Sequence, residues 1–283
     1  MNSTLITLPA SILRLACSLP LLVATAASAA SLPLWEAGAG VAVLSYPDYR
    51  GADERERRIL PLPYFIYRGE RLKADRDGIR TTLFDSERIE LNISANGSLP
   101  VSSRDNGARR GMPDLRTTLE LGPTINIHLT PPHQRSTLEL RLPVRAAMAL
   151  SSPVRHVGWV FTPNLAWRVR DLSGMPGWNM SLSGGPNFQD RRYNSTFYSV
   201  AASEVLPGRA AYSARGGYSG SQVSFGLSKR FPNYWVGAFM RYDYLGGAVF
   251  EDSSLMRSRN ALSGGVAISW VFGQSSTMVQ ADQ

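Results

Sequence analysis

Leu138, Leu140, Leu142, Val144, Ala146, Met148 and Leu150 alternate with Thr137, Glu139, Arg141, Pro143 and Arg145. Side chains of an extended chain point alternately to its two faces, so this run predicts a strand with one apolar and one charged face. Ile89, Leu91, Ile93 and Ala95 alternate in the same way with Arg88, Glu90, Asn92 and Ser94. Leu262, Gly264, Val266, Ile268, Trp270 and Phe272 share a parity, and Ser263, Gly265, Ala267 and Ser269 take the other. Extending this reading gives strands over 35–45, 59–68, 71–84, 88–97, 114–129, 136–150, 155–170, 177–188, 211–219, 222–230, 233–245 and 260–272. Turn-forming residues separate them, as at Arg68-Gly69-Glu70, Asp85-Ser86-Glu87, Pro131-Pro132-His133, Gly174-Met175-Pro176-Gly177 and Phe231-Pro232-Asn233.

A soluble β-sandwich would alternate in the same way. Strand length separates the two: these run about 10–14 residues, against about 5–6 in soluble sheets. Aromatic residues also gather near the predicted strand ends, among them Trp35, Tyr67, Trp159, Trp167, Trp178, Tyr234, Tyr242, Tyr244 and Trp270. Outer-membrane barrels carry such girdles at both interfaces. The expected fold is all-β, an antiparallel transmembrane β-barrel of about 12 strands, within a range of about 10–14. Charge on the lipid side of such a wall costs about 2–4 kcal/mol at midplane. Arg88, Glu90, Glu139, Arg141 and Arg145 are therefore expected to face the lumen, and Leu138, Leu140, Leu142 and Val144 the lipid.

The first thirty residues stand apart. Arg14 is their one charge, Leu15 to Ala27 is an apolar stretch, and Ala27-Ser28-Ala29-Ala30 ends it in small residues. This is the pattern of a cleavable secretory signal. Pro20 interrupts the run, which falls short of the roughly 20 apolar residues of a spanning helix. The expected organisation is a signal peptide over 1–30, cleaved after Ala29 or Ala30, a barrel over 31–272, and a short tail over 273–283. Cys17 is the sole cysteine and lies inside the signal, so the mature chain would hold neither a disulfide nor a thiol catalyst. The formal charge of +8, less that of Arg14, leaves +7, carried almost wholly by arginine because Lys73 and Lys229 are the only lysines. Such an excess can mark a nucleic-acid binder. An exported protein rarely meets nucleic acid, whereas arginine forks also suit the phosphates and carboxylates of lipopolysaccharide.

The motifs for chemistry are sparse. His128 and His133 flank a Pro-Pro turn, with no cysteine and few carboxylates near them in sequence, and His156 stands alone; no metal or other cofactor is expected. No G-x-S-x-G pattern offers a hydrolase nucleophile. Gly216-Gly217 and Gly246-Gly247 precede no helix and so make no phosphate cradle. The run Asp48, Arg50, Asp53, Glu54, Arg55, Glu56, Arg57, Arg58 reads as a solvated loop, or alternatively as a contact for lipid phosphates or a constriction folded into the lumen. No enzymatic site emerges.

Trp35-Glu36-Ala37-Gly38-Ala39-Gly40-Val41, Tyr46 to Glu54, Leu60-Pro61-Leu62-Pro63-Tyr64-Phe65-Ile66-Tyr67-Arg68-Gly69, Glu120-Leu121-Gly122-Pro123, Ser183-Gly184-Gly185-Pro186 and Trp235 to Tyr242 stand in an order and spacing that resembles the MipA/OmpV family of outer-membrane proteins. So do Leu245 to Ser253 and Ser269-Trp270-Val271-Phe272. The resemblance implies an outer-membrane location and a non-enzymatic scaffold for murein-remodelling enzymes, a membrane-bound lytic transglycosylase and a bifunctional murein synthase. A passive channel for small solutes, or a surface adhesin, is the alternative. The chain departs from the usual barrel ending in continuing eleven residues past Phe272. Counting strands from a periplasmic Trp35 puts residues 46–58 outside and both 98–113 and 190–210 on the periplasmic side. Arg104, Arg109, Arg110, Arg191, Arg192 and Tyr193 then become candidates for contact with periplasmic partners.

Overall fold

The computed structural model describes residues 31–69, 71–75 and 78–280. Residues 1–30, where a signal peptide is expected, with Arg14 and Cys17, lie outside the described residues. The strands are β1 (Ser31–Pro33), β2 (Trp35–Pro47), β3 (Arg55–Arg68), β4 (Leu72–Asp75), β5 (Gly78–Asp85), β6 (Ile89–Ser98), β7 (Thr118–His128), β8 (Ser136–Ala149), β9 (Arg155–Phe161), β10 (Asn164–Val169), β11 (Trp178–Gln189), β12 (Gly217–Arg230), β13 (Tyr234–Tyr244), β14 (Asn260–Gln274) and β15 (Met278–Gln280). Among the described residues one α-helix, α1 (Arg191–Tyr198), lies between β11 and β12, followed by a short 3-10 turn at Ala202–Glu204.

Every pairing is antiparallel, and β14 closes on β2. β9 and β10 are halves of one strand: Val144 pairs with Phe161 and Arg141 with Asn164, an unbroken register across Thr162-Pro163. Counted so, the wall is a closed barrel of twelve strands. β1 and β15 form a separate two-stranded ribbon that ties the two ends of the described residues together. Residues 273–280 thus finish β14 and build half of this ribbon.

The expected number of strands is met, but by a different division. The segment 71–84 turns back between Asp75 and Gly78 to give β4 and β5, whereas 211–219 and 222–230 merge into β12. The extra reversal changes which connections share an end. Residues 48–54, 99–117, 190–216 and 245–259 all lie at one end, and the short connections after Arg68, at 86–88 and at 231–233 lie at the other with both ends of the described residues. This corrects the expectation that 98–113 and 190–210 lie opposite 46–58.

Side chains divide as the period of 2 requires. On β8, Thr137, Glu139, Pro143, Ala147 and Ala149 are buried inside, and Leu138, Leu140, Leu142 and Val144 lie on the outer face. Outward aromatics mark both rims: Trp35, Trp167, Tyr234, Trp270 and Phe272 near the chain ends, Trp159, Tyr242 and Tyr244 near the long connections. From Tyr234 to Tyr244 the wall rises roughly 25 Å, at about 3.3 Å per residue and a tilt of about 40°, which matches an outer-membrane apolar band. The many exposed large hydrophobics are this band. Among the described residues no helix is long and apolar enough to cross a membrane.

One seam of the wall is short. β3 pairs with β2 along its whole length, but with β4 only at Tyr67 and Arg68. Arg68 N donates to Leu34 O at 2.8 Å, so alternation turns the even N–H groups of β3 toward β2 and the odd ones toward the free edge. Pro61 and Pro63 occupy two of those odd positions, where a missing N–H leaves no donor unpaired.

Candidate functional site

Three carboxylates organise the lumen. Glu36 of β2 accepts from Arg68 Nη2 at 2.6 Å and from Arg230 Nε at 2.8 Å, and its side chain is 3 % exposed. Glu139 of β8 accepts from Arg141 Nη2 at 3.1 Å and Arg168 Nη1 at 3.4 Å, with His128 Nδ1 at 3.7 Å. Asp243 of β13 accepts from Arg241 Nη2 at 2.8 Å and from Arg50 Nε at 2.9 Å. Each buried anion thus holds at least two cations from different parts of the chain, which offsets the cost of removing charge from water. Alternation places these groups inside, because the same strands turn Leu, Val and Met to the lipid.

Of the residues named from sequence, Glu139 and Arg141 meet in the second of these clusters. Arg145 lies on the same face and donates from Nε to Ser94 Oγ at 3.0 Å. Glu90 accepts from buried Asn92 Nδ2 at 2.9 Å. Arg88 is exposed in the short turn before β6. The histidines flanking the Pro-Pro turn do not converge: His128 is buried beside Glu139, and His133 is exposed.

The four long connections fold together over the mouth. Tyr49, Val101, Met112, Leu115, Tyr198, Val200, Leu245, Phe250 and Leu255 form one buried apolar cluster drawn from all of them. Phe250 is fully buried, and its ring stacks on Tyr198 at 3.6 Å with planes 7° apart. Hydrogen bonds lock the segments: Tyr49 Oη to Leu255 O (2.7 Å), Tyr198 Oη to Arg50 O (2.7 Å), Ser253 Oγ to Tyr198 O (2.7 Å) and Asn106 Nδ2 to Asp48 Oδ2 (2.8 Å). Two hooks run from this cap into the barrel: Arg50 reaches Asp243, and Tyr193 Oη donates to Glu120 Oε1 of β7 at 2.9 Å. Burial pushes the phenols of Tyr49 and Tyr198 well above the ordinary tyrosine range, so both stay neutral donors.

Arg109 donates to Phe197 O (3.0 Å) and Pro113 O (3.2 Å), and burial lowers its guanidinium below the usual arginine range. Arg109 and Tyr193 are therefore internal braces of the cap, turned away from any partner. Arg104, Arg110, Arg191 and Arg192 are exposed, on the end away from the chain termini. Sequence reasoning missed Tyr49, Tyr198, Asp243 and Phe250, and named Arg50 only as one member of the 48–58 charge run. Its available signal was apolar and aromatic residues inside connections too long and too hydrophobic for solvated loops.

Helix α1 enters the mouth beside Gly158 of β9. The Asp190 side chain caps the helix by accepting from Tyr193 N at 2.8 Å. Gly158 has φ +138°, and a Cβ there would stand 2.2 Å from Asp190 Oδ1 and 2.5 Å from Tyr193 N. Gly158→Ala is expected to dislodge the helix start at a cost of about 1–3 kcal/mol. Limited proteolysis within 191–216 should quicken; an unchanged cleavage rate would refute this.

A family model described as "MltA-interacting protein MipA" matches residues 39–272, nearly the whole barrel. No curated protein sequence matches the chain. Among solved structures, the N-terminal β-barrel domain of Pseudomonas aeruginosa OprF is 13% identical, over 66% of this chain and 98% of that one, with a TM-score of 0.28. The outer membrane protein OprG of Pseudomonas aeruginosa is 9% identical, over 83% of this chain and 94% of that one, with a TM-score of 0.24. Scores this low carry no argument, and the barrel rests on its own closed strand order. The family match covers far more than half of the sequence, and the chain belongs to the MltA-interacting protein MipA family.

Proposed function

We propose that this protein is a sealed outer-membrane anchor that holds murein-remodelling enzymes, a lytic transglycosylase and with it a bifunctional murein synthase, and that it catalyses nothing itself. The interlocked cap carries the reading: a mouth filled by Phe250, Tyr198 and the Arg50–Asp243 pair suits an anchor better than a pore. The family description, which names an MltA interaction, supports the partner class. Barrel proteins keep short turns and both chain ends in the periplasm. The murein side is then the end bearing the β1–β15 ribbon and the turns at 129–135 and 170–177, where Arg135 and Asp171 pair in the open at 3.2 Å. The exposed arginines of the cap face outward on this reading.

The test joins two measurements on the full protein. In planar bilayers it should pass no steady current. Immobilised on a column, it should retain a lytic transglycosylase of the MltA type, and replacing the 129–135 and 170–177 turns should abolish retention. A steady open-channel current, or failure to retain the enzyme, overturns the proposal.

A further inference from the structure

The outer wall carries a furrow. One depression of about 590 Å3 is floored by Gly264 of β14, walled by Met240 and Leu262, and headed by Arg55, Arg57 and Ser45 at the rim beneath the cap. A second, of about 430 Å3, reaches Trp178 of β11. Both are lined by Val43, Ala238 and Val266, so they form one channel along the lipid face. The furrow exists because Gly264 and Ala238 lack bulk where their outward neighbours Met240, Leu262 and Val266 stand proud.

The arginines at its head are out of place on a lipid face. Alternation along β3 turns Glu56 and Arg58 inward, where they pair with each other, and turns Arg55 and Arg57 outward. Arg55 Nη2 donates to Ser45 Oγ at 3.3 Å, and neither outward arginine has a carboxylate partner among the described residues. Two guanidiniums two residues apart on one face can grip a phosphate through paired N–H donors. Exposed cations are tolerated at this depth only where headgroups begin.

We propose that this furrow is a binding site for a phosphorylated, acylated lipid of the outer leaflet, with its phosphate on Arg55 and Arg57 and one acyl chain along Val43, Ala238 and Val266. The site is independent of what the murein side holds. It gives the first-loop charge run a role beyond solvation, and it seats the lipid directly below the cap. The occupant is committed by charge and shape together: a zwitterionic headgroup would not need two unneutralised guanidiniums, and a soluble phosphate would leave the furrow empty.

The full protein, extracted in mild detergent and freed of lipid, is titrated with purified bis-phosphorylated lipid A and separately with phosphatidylethanolamine, and read by native mass spectrometry. One lipid A per chain is expected to bind in preference to phosphatidylethanolamine. Joint Arg55→Gln and Arg57→Gln substitution should weaken it by about tenfold or more, as loss of charge-assisted contacts does. Ala238→Trp fills the furrow, leaves both arginines in place and should weaken binding comparably. Heat-modifiable migration of each variant confirms a folded barrel. Equal affinity for the two lipids, or undiminished binding in either folded variant, overturns the site.

Discussion

Replacing Glu36 by leucine is expected to destabilise the barrel by about 3–5 kcal/mol. The carboxylate is the shared acceptor for Arg68 and Arg230, which reach it from β3 and β12. Deleting it strands two guanidiniums inside the wall with nothing to neutralise them. The arginines are 20 % and 28 % exposed, so lumen water softens the penalty toward the lower end. The measurement is the temperature at which the compact band on a gel converts to the unfolded one. It should fall clearly for Glu36→Leu and recover when Arg68 and Arg230 are also made apolar, because removing a whole buried ion cluster is far less costly than removing one member. An unchanged conversion temperature for Glu36→Leu would show that the cluster contributes nothing.

Phe250→Ala should act on the cap alone. The ring is fully buried and stacked on Tyr198, and truncating a buried phenylalanine costs about 3–5 kcal/mol. The cap is held by these apolar contacts and a few hydrogen bonds, whereas the wall is held by continuous strand ladders. The loss therefore falls on a unit that can open without the barrel unfolding. Protease should then cut within 191–214 and 245–259 while the compact gel band persists, and planar bilayers should register current steps absent from the parent protein. Retained protease resistance would show that the cap does not depend on this stack.

What could be read from the chain followed from period. The run 137–150 is legible because every other residue meets lipid, and a lipid-facing residue has little choice but to be apolar. The strand number emerged through two compensating misreadings with distinct causes. The segment 71–84 reads as one strand from its apolar positions, yet Asp75 pairs with Gly78 and divides it into β4 and β5. The strand reading breaks between 219 and 222, yet β12 runs through Gly220 with φ +91°, where a Cβ would stand 2.5 Å from Tyr244 O. The first misreading inverted the side of the connections from 86–88 to 190–216, and the second restored it for those that follow. The cap was illegible for a different reason. Tyr49, Val101, Tyr198 and Phe250 belong to segments far apart in sequence, and no periodicity announces contacts between loops. The lumen clusters were half legible: parity gives the face of Glu139 and Arg141, but only the closed wall brings Arg168 to the first and Arg230 to Glu36.

A hoop resists stretching only as well as its weakest joint. Thirteen residue pairs join β3 to β2, and two pairs, Tyr67–Ala74 and Arg68–Lys73, join it to β4. Lateral tension in the membrane pulls on the girth of the barrel, and girth can grow with the fewest broken bonds at that joint. Pro61 and Pro63 keep it so, because a neighbouring strand that slid up along β3 would find no N–H there to bond. The barrel is thus mechanically a split ring, sprung on one side and rigid around the rest.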